Sequence, residues 1–380
     1  MKKIIIALTV LTALSINAAT SNTWVAAGPN DNWSNADNWD VIPADWTDYS
    51  ADLIFGANDG ASYNMNNTIS VAKVGSMTFT SDTGNDYWLT SSSSYAVQFA
   101  NGSDNGGDII VNNGSHSVTY AVGVLFNYGT SADRYARAVN GDIWFRNVQL
   151  WTSNYDSRNL YFQAGNGRTI SFRSGYAVSA QGSVAKALTF QGDGTGGLFE
   201  VNSSLTGNAI DLYVEDAATA TLNMDAGQFR DITLANGRAD FSKDNMISAD
   251  LAFDATGGGE NIVAFNGHSN DFELLTITAD ADVNILDFNG SNTVTFADCS
   301  SESWLGQLVI TNFESGVDSL RFGTNSTALT SAQLTQITVD GQAGASLDSD
   351  GFLVIPEPTT LSLFVISSAT LFWVRYNRCR

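Results

Sequence analysis

The chain has 380 residues, 17 basic against 39 acidic, and a formal net charge of −22. This balance argues against nucleic acid and anionic membrane surfaces as partners, and for solubility outside the cell. Two cysteines, Cys299 and Cys379, make no disulfide framework, and two histidines, His116 and His268, both in turn-like contexts, leave a histidine-dependent triad or metal site little to draw on.

The chain opens "MKKIIIALTVLTALSINAAT": Lys2 and Lys3, an apolar run from Ile4 to Ile16, then small residues at Ala18 and Ala19. That order predicts a secretory signal peptide over residues 1–19. From Ala19 to Ile355 the body then carries 12 basic and 38 acidic residues, a charge of −26. Trp24, Trp33, Trp39 and Trp46 follow within 23 residues. They suit either a cap over about residues 20–50, plugging the open end of a repetitive fold, or a platform for stacking sugars.

Between Ala44 and Ile355 there is no proline, and short alternating runs such as "SVTYAV", "RTISFR", "VNILDF" and "QLVITNF" are separated by Gly, Asn, Asp, Ser and Thr. These read as strands joined by polar turns, with no helical period sustained over 12 residues. A stretch this long exceeds one compact core, so it must divide or repeat. Two recurrences favour repetition. Strands end in Phe with Gly or Asn-Gly immediately or one residue behind it at Phe55, Phe99, Phe190, Phe265, Phe288 and Phe322. A pattern of basic, any, aliphatic, polar, bulky apolar starts at His116, Arg146, Arg168, Lys186 and Arg230.

Arg146 and Arg168 are 22 residues apart, an offset that places Val148 against Ile170 and Leu150 against Phe172 on stacked rungs. The expected fold is therefore all-β, a single-stranded parallel β-solenoid (β-helix) over residues 20–352, flanked by the signal helix and a C-terminal transmembrane helix. At ~22 residues per rung it would have about 15 rungs and a length on the order of 70 Å. Tandem β-sandwiches with antiparallel pairing are the alternative.

The chain ends "IPEPTTLSLFVISSATLFWVRYNRCR". Residues 359–374 would span about 24 Å as a helix, short but insertable against a ~30 Å hydrocarbon core. Arg375, Arg378 and Arg380 would hold the cytoplasmic side and stop transfer. Pro356, Glu357 and Pro358 keep the preceding segment extended, the shape a protease accepts. Residues 353–380 thus resemble the PEP-CTERM sorting signal, although the basic cluster is looser than usual. The resemblance implies an exosortase as processing partner, Pro356, Glu357 and Pro358 as its recognition motif, a transient inner-membrane anchor, and export from a Gram-negative, exopolysaccharide-producing cell to the surface or matrix. The Trp-rich start and the segment "LRFGTNSTALTSAQLTQITVDG" also resemble the ends of autotransporter-type β-helix proteins, which implies fold more than activity.

No catalytic constellation stands out, and no cofactor or metal is expected. Cys299 reads as a small core residue. Ser346, Asp348, Asp350, Gly351 and Glu357 fall on calcium-loop spacing, but the first ligand is wrong and the prolines forbid the exit helix, so a turn before a strand is expected. The segment from Arg134 to Tyr176 holds six of the nine body arginines with only Asp142 and Asp156 for balance, interleaved with aromatic residues. Either neighbouring carboxylates answer these charges, or the segment is a docking strip for acidic polysaccharide, with Arg146, Arg168 and Arg173 meeting anions and rings such as Trp144 and Trp151 stacking on sugars. The expected function is non-enzymatic, a structural or adhesive component of an extracellular polysaccharide matrix, with a polysaccharide-degrading β-helix enzyme as the alternative.

Overall fold

The computed structural model describes residues 20–355 apart from short loop segments, the longest being 26–31, 57–61, 66–70, 81–85, 101–106 and 152–159. Residues 1–19, expected as a signal peptide, and the tail from residue 356, with Pro356, Glu357, Pro358, the transmembrane helix expected over 359–374, Arg375, Arg378 and Arg380, lie outside the described residues. Among the described residues no helix is long and apolar enough to cross a membrane.

The alternating runs fold as strands because every second side chain can be apolar and face a narrow interior. In Leu160–Ala164, for example, Leu160, Phe162 and Ala164 are buried while Tyr161 and Gln163 are half-exposed. The chain winds as a parallel β-solenoid. One sheet stacks eleven parallel strands from Thr20–Trp24 to Leu275–Ile277, and a second runs along the facing side. Pairing is parallel along both sheets until hairpins close the C-terminal end, which sets aside tandem sandwiches.

Phenylalanines from successive coils form stacks inside, Phe55 on Phe79 at 5.0 Å, Phe145 on Phe172 at 5.6 Å and Phe296 on Phe322 at 5.2 Å, and Phe190 stacks on Phe199 across one coil at 4.6 Å. The glycine that follows several of them has a steric reason. A Cβ on Gly192, at the end of Lys186–Gly192, would sit 2.1 Å from the Asp216 carbonyl oxygen of the next coil.

The expected 22-residue register is corrected by the pairing. Phe172 stacks on Phe145 and Ile170 on Ile143, while Val148 and Leu150 meet Val178 and Ala180. Ile143–Trp151 runs through a corner as one strand, irregular between Phe145 and Asn147, whereas the next coil covers it with two strands, Thr169–Phe172 and Ala177–Gln181. Gly175, at φ +80°, makes the turn between those two. Coil length is uneven: contacts between neighbouring coils join residues 19 apart at Arg230 and Asp211 and 31 apart at Ser117 and Asp86. Longer coils leave eleven strands in the first sheet instead of about fifteen rungs.

Both ends are covered. At the N-terminal end Trp24, Trp33 and Trp39 are buried with Phe55, and the Trp39 indole N–H donates to the Trp33 carbonyl at 2.8 Å. The segment around Asn38 to Asp40 closes the outer edge of Thr20–Trp24, with Val25 N–H donating to Asn38 O at 2.8 Å and Asp40 N–H to Thr23 O at 2.9 Å. Indoles held this way present no free face to a sugar. At the C-terminal end Ile337–Val339 pairs antiparallel with Gln342–Ala343, and Ser346–Leu347 with Leu353–Val354. Between these hairpins and the last described residue there is no slack, for Ile355 itself packs partly buried against the core.

Candidate functional site

The second sheet carries an outward column set by register. Trp88 in Tyr87–Ser91 pairs with Thr119, Thr119 with Trp144, Trp144 with Ser171, and Ser171 with Glu200 in Gly197–Val201. Period-two alternation turns these residues away from the phenylalanine interior, since Phe145, Phe172 and Phe199 next to them point inward. Around the column lies an open cleft of about 460 Å³ whose lining includes Asp142, Trp144, Ser171, Arg173, Glu200 and Asn202.

Two arginines rest on the column's rings. The Arg173 guanidinium lies 3.9 Å from the centre of the Trp144 ring, and that of Arg146 lies 5.1 Å from Trp88 and 5.5 Å from Tyr176. A cation over an aromatic face gains about 0.5–2 kcal/mol, depending on how dry it is. The arginines are positioned by the corner: both follow the register pair Phe145 and Phe172, and Ser203 Oγ donates to the Arg173 carbonyl at 2.7 Å.

Three other arginines of the rod are paired with carboxylates, while Arg321 lies over the Phe352 ring at 5.7 Å. Arg137 meets Asp108 at 2.8 Å, Arg230 meets Asp211 at 2.5 Å and Asp231 at 2.9 Å, and Arg238 meets Asp240 at 2.6 Å. Among the described residues no carboxylate pairs with Arg146, Arg168 or Arg173. In a body so acidic, charges left to rings instead of carboxylates are available to an external anion.

The structure brings together three of the five residues expected in the docking strip. Arg173 and Trp144 line the cleft, and Arg146 adjoins them. Arg168 stands just before the start of the Thr169–Phe172 strand, half-exposed, and does not line the cleft. Trp151 pairs through its backbone with Gln181, and its side chain lies outside the described residues. Trp88 and Glu200, from coils further along the sequence in either direction, belong to the column and were not expected; only the true coil register reveals them. Asp142 is engaged structurally, its Oδ1 accepting from the Thr169 N–H at 2.9 Å.

Other candidate chemistry resolves into structure. The Cys299 thiol is buried, accepts from the Leu275 N–H at 3.3 Å, and is pushed up to about 11, chiefly by burial. His268 Nδ1 lies 3.3 Å from Asp244 Oδ1 at the surface. Asp348 Oδ1 accepts from the N–H groups of Asp350 at 2.9 Å and Phe352 at 2.8 Å, with Gly351 at φ +85°, a tight turn before Leu353–Val354. No group of three or more His, Cys, Asp or Glu side chains suited to a metal ion occurs among the described residues. No family model, curated protein or solved structure matches the chain.

Proposed function

We propose that this protein is an exported, surface-sorted structural or adhesive component of an extracellular polysaccharide matrix, and that the column on its second sheet docks acidic polysaccharide. The observation that carries the reading is the pair Arg146 and Arg173, laid on indole rings on adjacent coils with no carboxylate partner among the described residues, whereas Arg137, Arg230 and Arg238 are ion-paired. Aromatic surface for sugar rings and forked donors for carboxylates or sulfates are what an acidic glycan requires.

The test is binding of the full-length chain to anionic polysaccharide at low salt, where such contacts are strongest. Replacing Arg146 and Arg173 by Gln weakens binding while the fold is retained, whereas Arg168→Gln, off the cleft, has a small effect. Unchanged affinity in the double variant sinks the docking face, and new reducing or unsaturated ends released from the glycan favour the enzyme. Sorting is read separately. In an exosortase-bearing host the mature protein loses the residues after the Pro-Glu-Pro region, and Ala at Pro356, Glu357 and Pro358 leaves a longer precursor in the inner membrane. Mature extracellular protein still carrying residues 361–380 would refute tail processing.

A further inference from the structure

The outward column of the second sheet does not end at Glu200. Its pairing continues through Thr221, Asp240, Ala264, Asp287 and Thr311, one residue per coil. Charge changes sign along it. The N-terminal half holds Trp88 and Trp144, with the guanidinium groups of Arg146 and Arg173 resting on them and covering Thr119 and Ser171. The C-terminal half holds carboxylates among small residues. Asp287 accepts from Asn312 Nδ2 at 2.7 Å and Thr311 Oγ1 at 3.3 Å, and no cation pairs with it among the described residues. Asp240 has Arg238 at 2.6 Å, yet burial pushes its carboxyl above the ordinary aspartate value, with Asp287 pushing the same way. Beside these carboxylates Ile262, Ile285 and Val309 form a half-exposed aliphatic stripe, in register from coil to coil.

We propose that this face pairs with the same face of a second copy, the two rods lying antiparallel about a two-fold axis that crosses between the Glu200 and Thr221 coils. Such an axis keeps strand direction and reverses coil order, so each coil meets the one equally far beyond the axis. Trp144 then meets Ala264 and Trp88 meets Thr311, bulky against small. The Ser171 coil, under Arg173, meets Asp240, and the Thr119 coil, under Arg146, meets Asp287. Glu200 meets Thr221 and no like charge. The aliphatic stripe lies alongside the indoles of the other copy, and indoles and guanidinium groups are the side chains that anchor protein interfaces. The shared face measures roughly 45 Å by 15 Å and buries on the order of 1,300 Å² in total, the size of a specific interface. The dimer does not depend on the polysaccharide reading, but it covers the same rings and guanidinium groups, so a glycan and a second copy exclude each other.

Sedimentation equilibrium of the full-length chain reads the outcome in about 0.15 M salt, where a Debye length of about 8 Å screens the repulsion between two acidic rods but spares contact pairs. A reversible dimer with a dissociation constant on the order of 10 µM is expected. Arg146→Glu and Asp287→Arg should each weaken it about a hundredfold, because the axis repeats the lost contact. An equimolar mixture of the two variants should dimerise again, since the two reversed charges then face each other and the two native ones do likewise. A chain that stays monomeric well above that concentration overturns the dimer and leaves the glycan reading standing. A dimer that both variants retain, or a mixture of folded variants that stays apart, overturns this face, and species growing beyond two copies overturn the two-fold axis. Thr221→Cys, a small change beside the axis, decides the matter if a reversed charge prevents folding. A short bismaleimide should then join two copies beyond the level seen in the unsubstituted chain, and no such gain overturns the face.

Discussion

Phe162→Ala tests the idea that the rod is held by ring stacks shared between coils. The Phe162 side chain is fully buried and meets Phe126 at 5.6 Å, Phe145 at 5.9 Å and Phe172 at 5.2 Å, each at a steep interplanar angle. Removing a buried phenyl group costs about 3–5 kcal/mol, through lost transfer energy and the cavity left behind. Edge-to-face contacts of this kind add about 0.5–1.5 kcal/mol per pair, and with Phe190 on its own sheet at 6.2 Å the lost partners include both sheets, which places the substitution at the upper end. Because a coil is stabilised mainly by the coils on either side, the loss also uncouples the N-terminal half from the C-terminal half. Urea unfolding followed by tryptophan fluorescence and circular dichroism should show a midpoint lowered by on the order of 1 M, and the two signals should separate, since several tryptophans lie near the N-terminal end. Leu198→Ala, at a side chain 45% exposed, is the control and should change stability by no more than about 0.5 kcal/mol. A Phe162→Ala change no larger than the control refutes the shared-stack account.

Trp33→Ala removes the fully buried indole of the N-terminal end, and should cost about 3–5 kcal/mol and open the first coil to self-association, seen as a shift to larger species in size-exclusion chromatography. A monomer of unchanged melting temperature argues against that role. Cys299, with its thiol pushed up to about 11 by burial, should resist iodoacetamide at pH 8 in the native protein and react after denaturation; rapid native labelling contradicts the buried placement. Burial, then the charges of Asp216 and Asp254, raise the Glu215 carboxyl above the ordinary glutamate value. The folded chain therefore holds that proton where the unfolded chain has released it, and stability is lost as pH rises from the ordinary glutamate value through the raised one. Glu215→Gln should raise the melting temperature at pH 7 and leave it nearly unchanged at pH 3, and equal gains at both values would contradict the assignment.

The parallel solenoid was legible because its interior demands strict alternation, and the residues that betray it, Phe55, Phe99, Phe190, Phe265, Phe288 and Phe322, are all fully buried. Register was not legible. The basic and aliphatic pattern marks strand starts on both sheets, so the interval from Arg168 to Lys186 is a step across one coil, not between coils. Loops of unequal length then break any fixed offset. The candidate cleft was half visible for the same reason. Trp144 and Arg173 drew attention through local charge and aromatic density, but Trp88 and Glu200 join them only through pairing across several coils. Arg168 lies before the strand starts, at the end away from Arg173, and the shared pattern did not disclose where the strand begins.

The tight seating of Ile355 has a consequence for any enzyme that reads the residues after it. Pro356 follows a side chain already packed on the rod, so the proposed sorting motif would start directly at the rod's end. A catalytic centre at the membrane surface would have to accept the blunt end of the rod as part of its substrate, and clearance rather than sequence would set the turnover. Inserting a few Gly and Ser residues between Ile355 and Pro356 should speed cleavage of an otherwise unaltered tail, read as a faster loss of precursor in pulse-chase labelling. A rate that is unchanged by the spacer would mean that the end of the rod already stands clear of the enzyme.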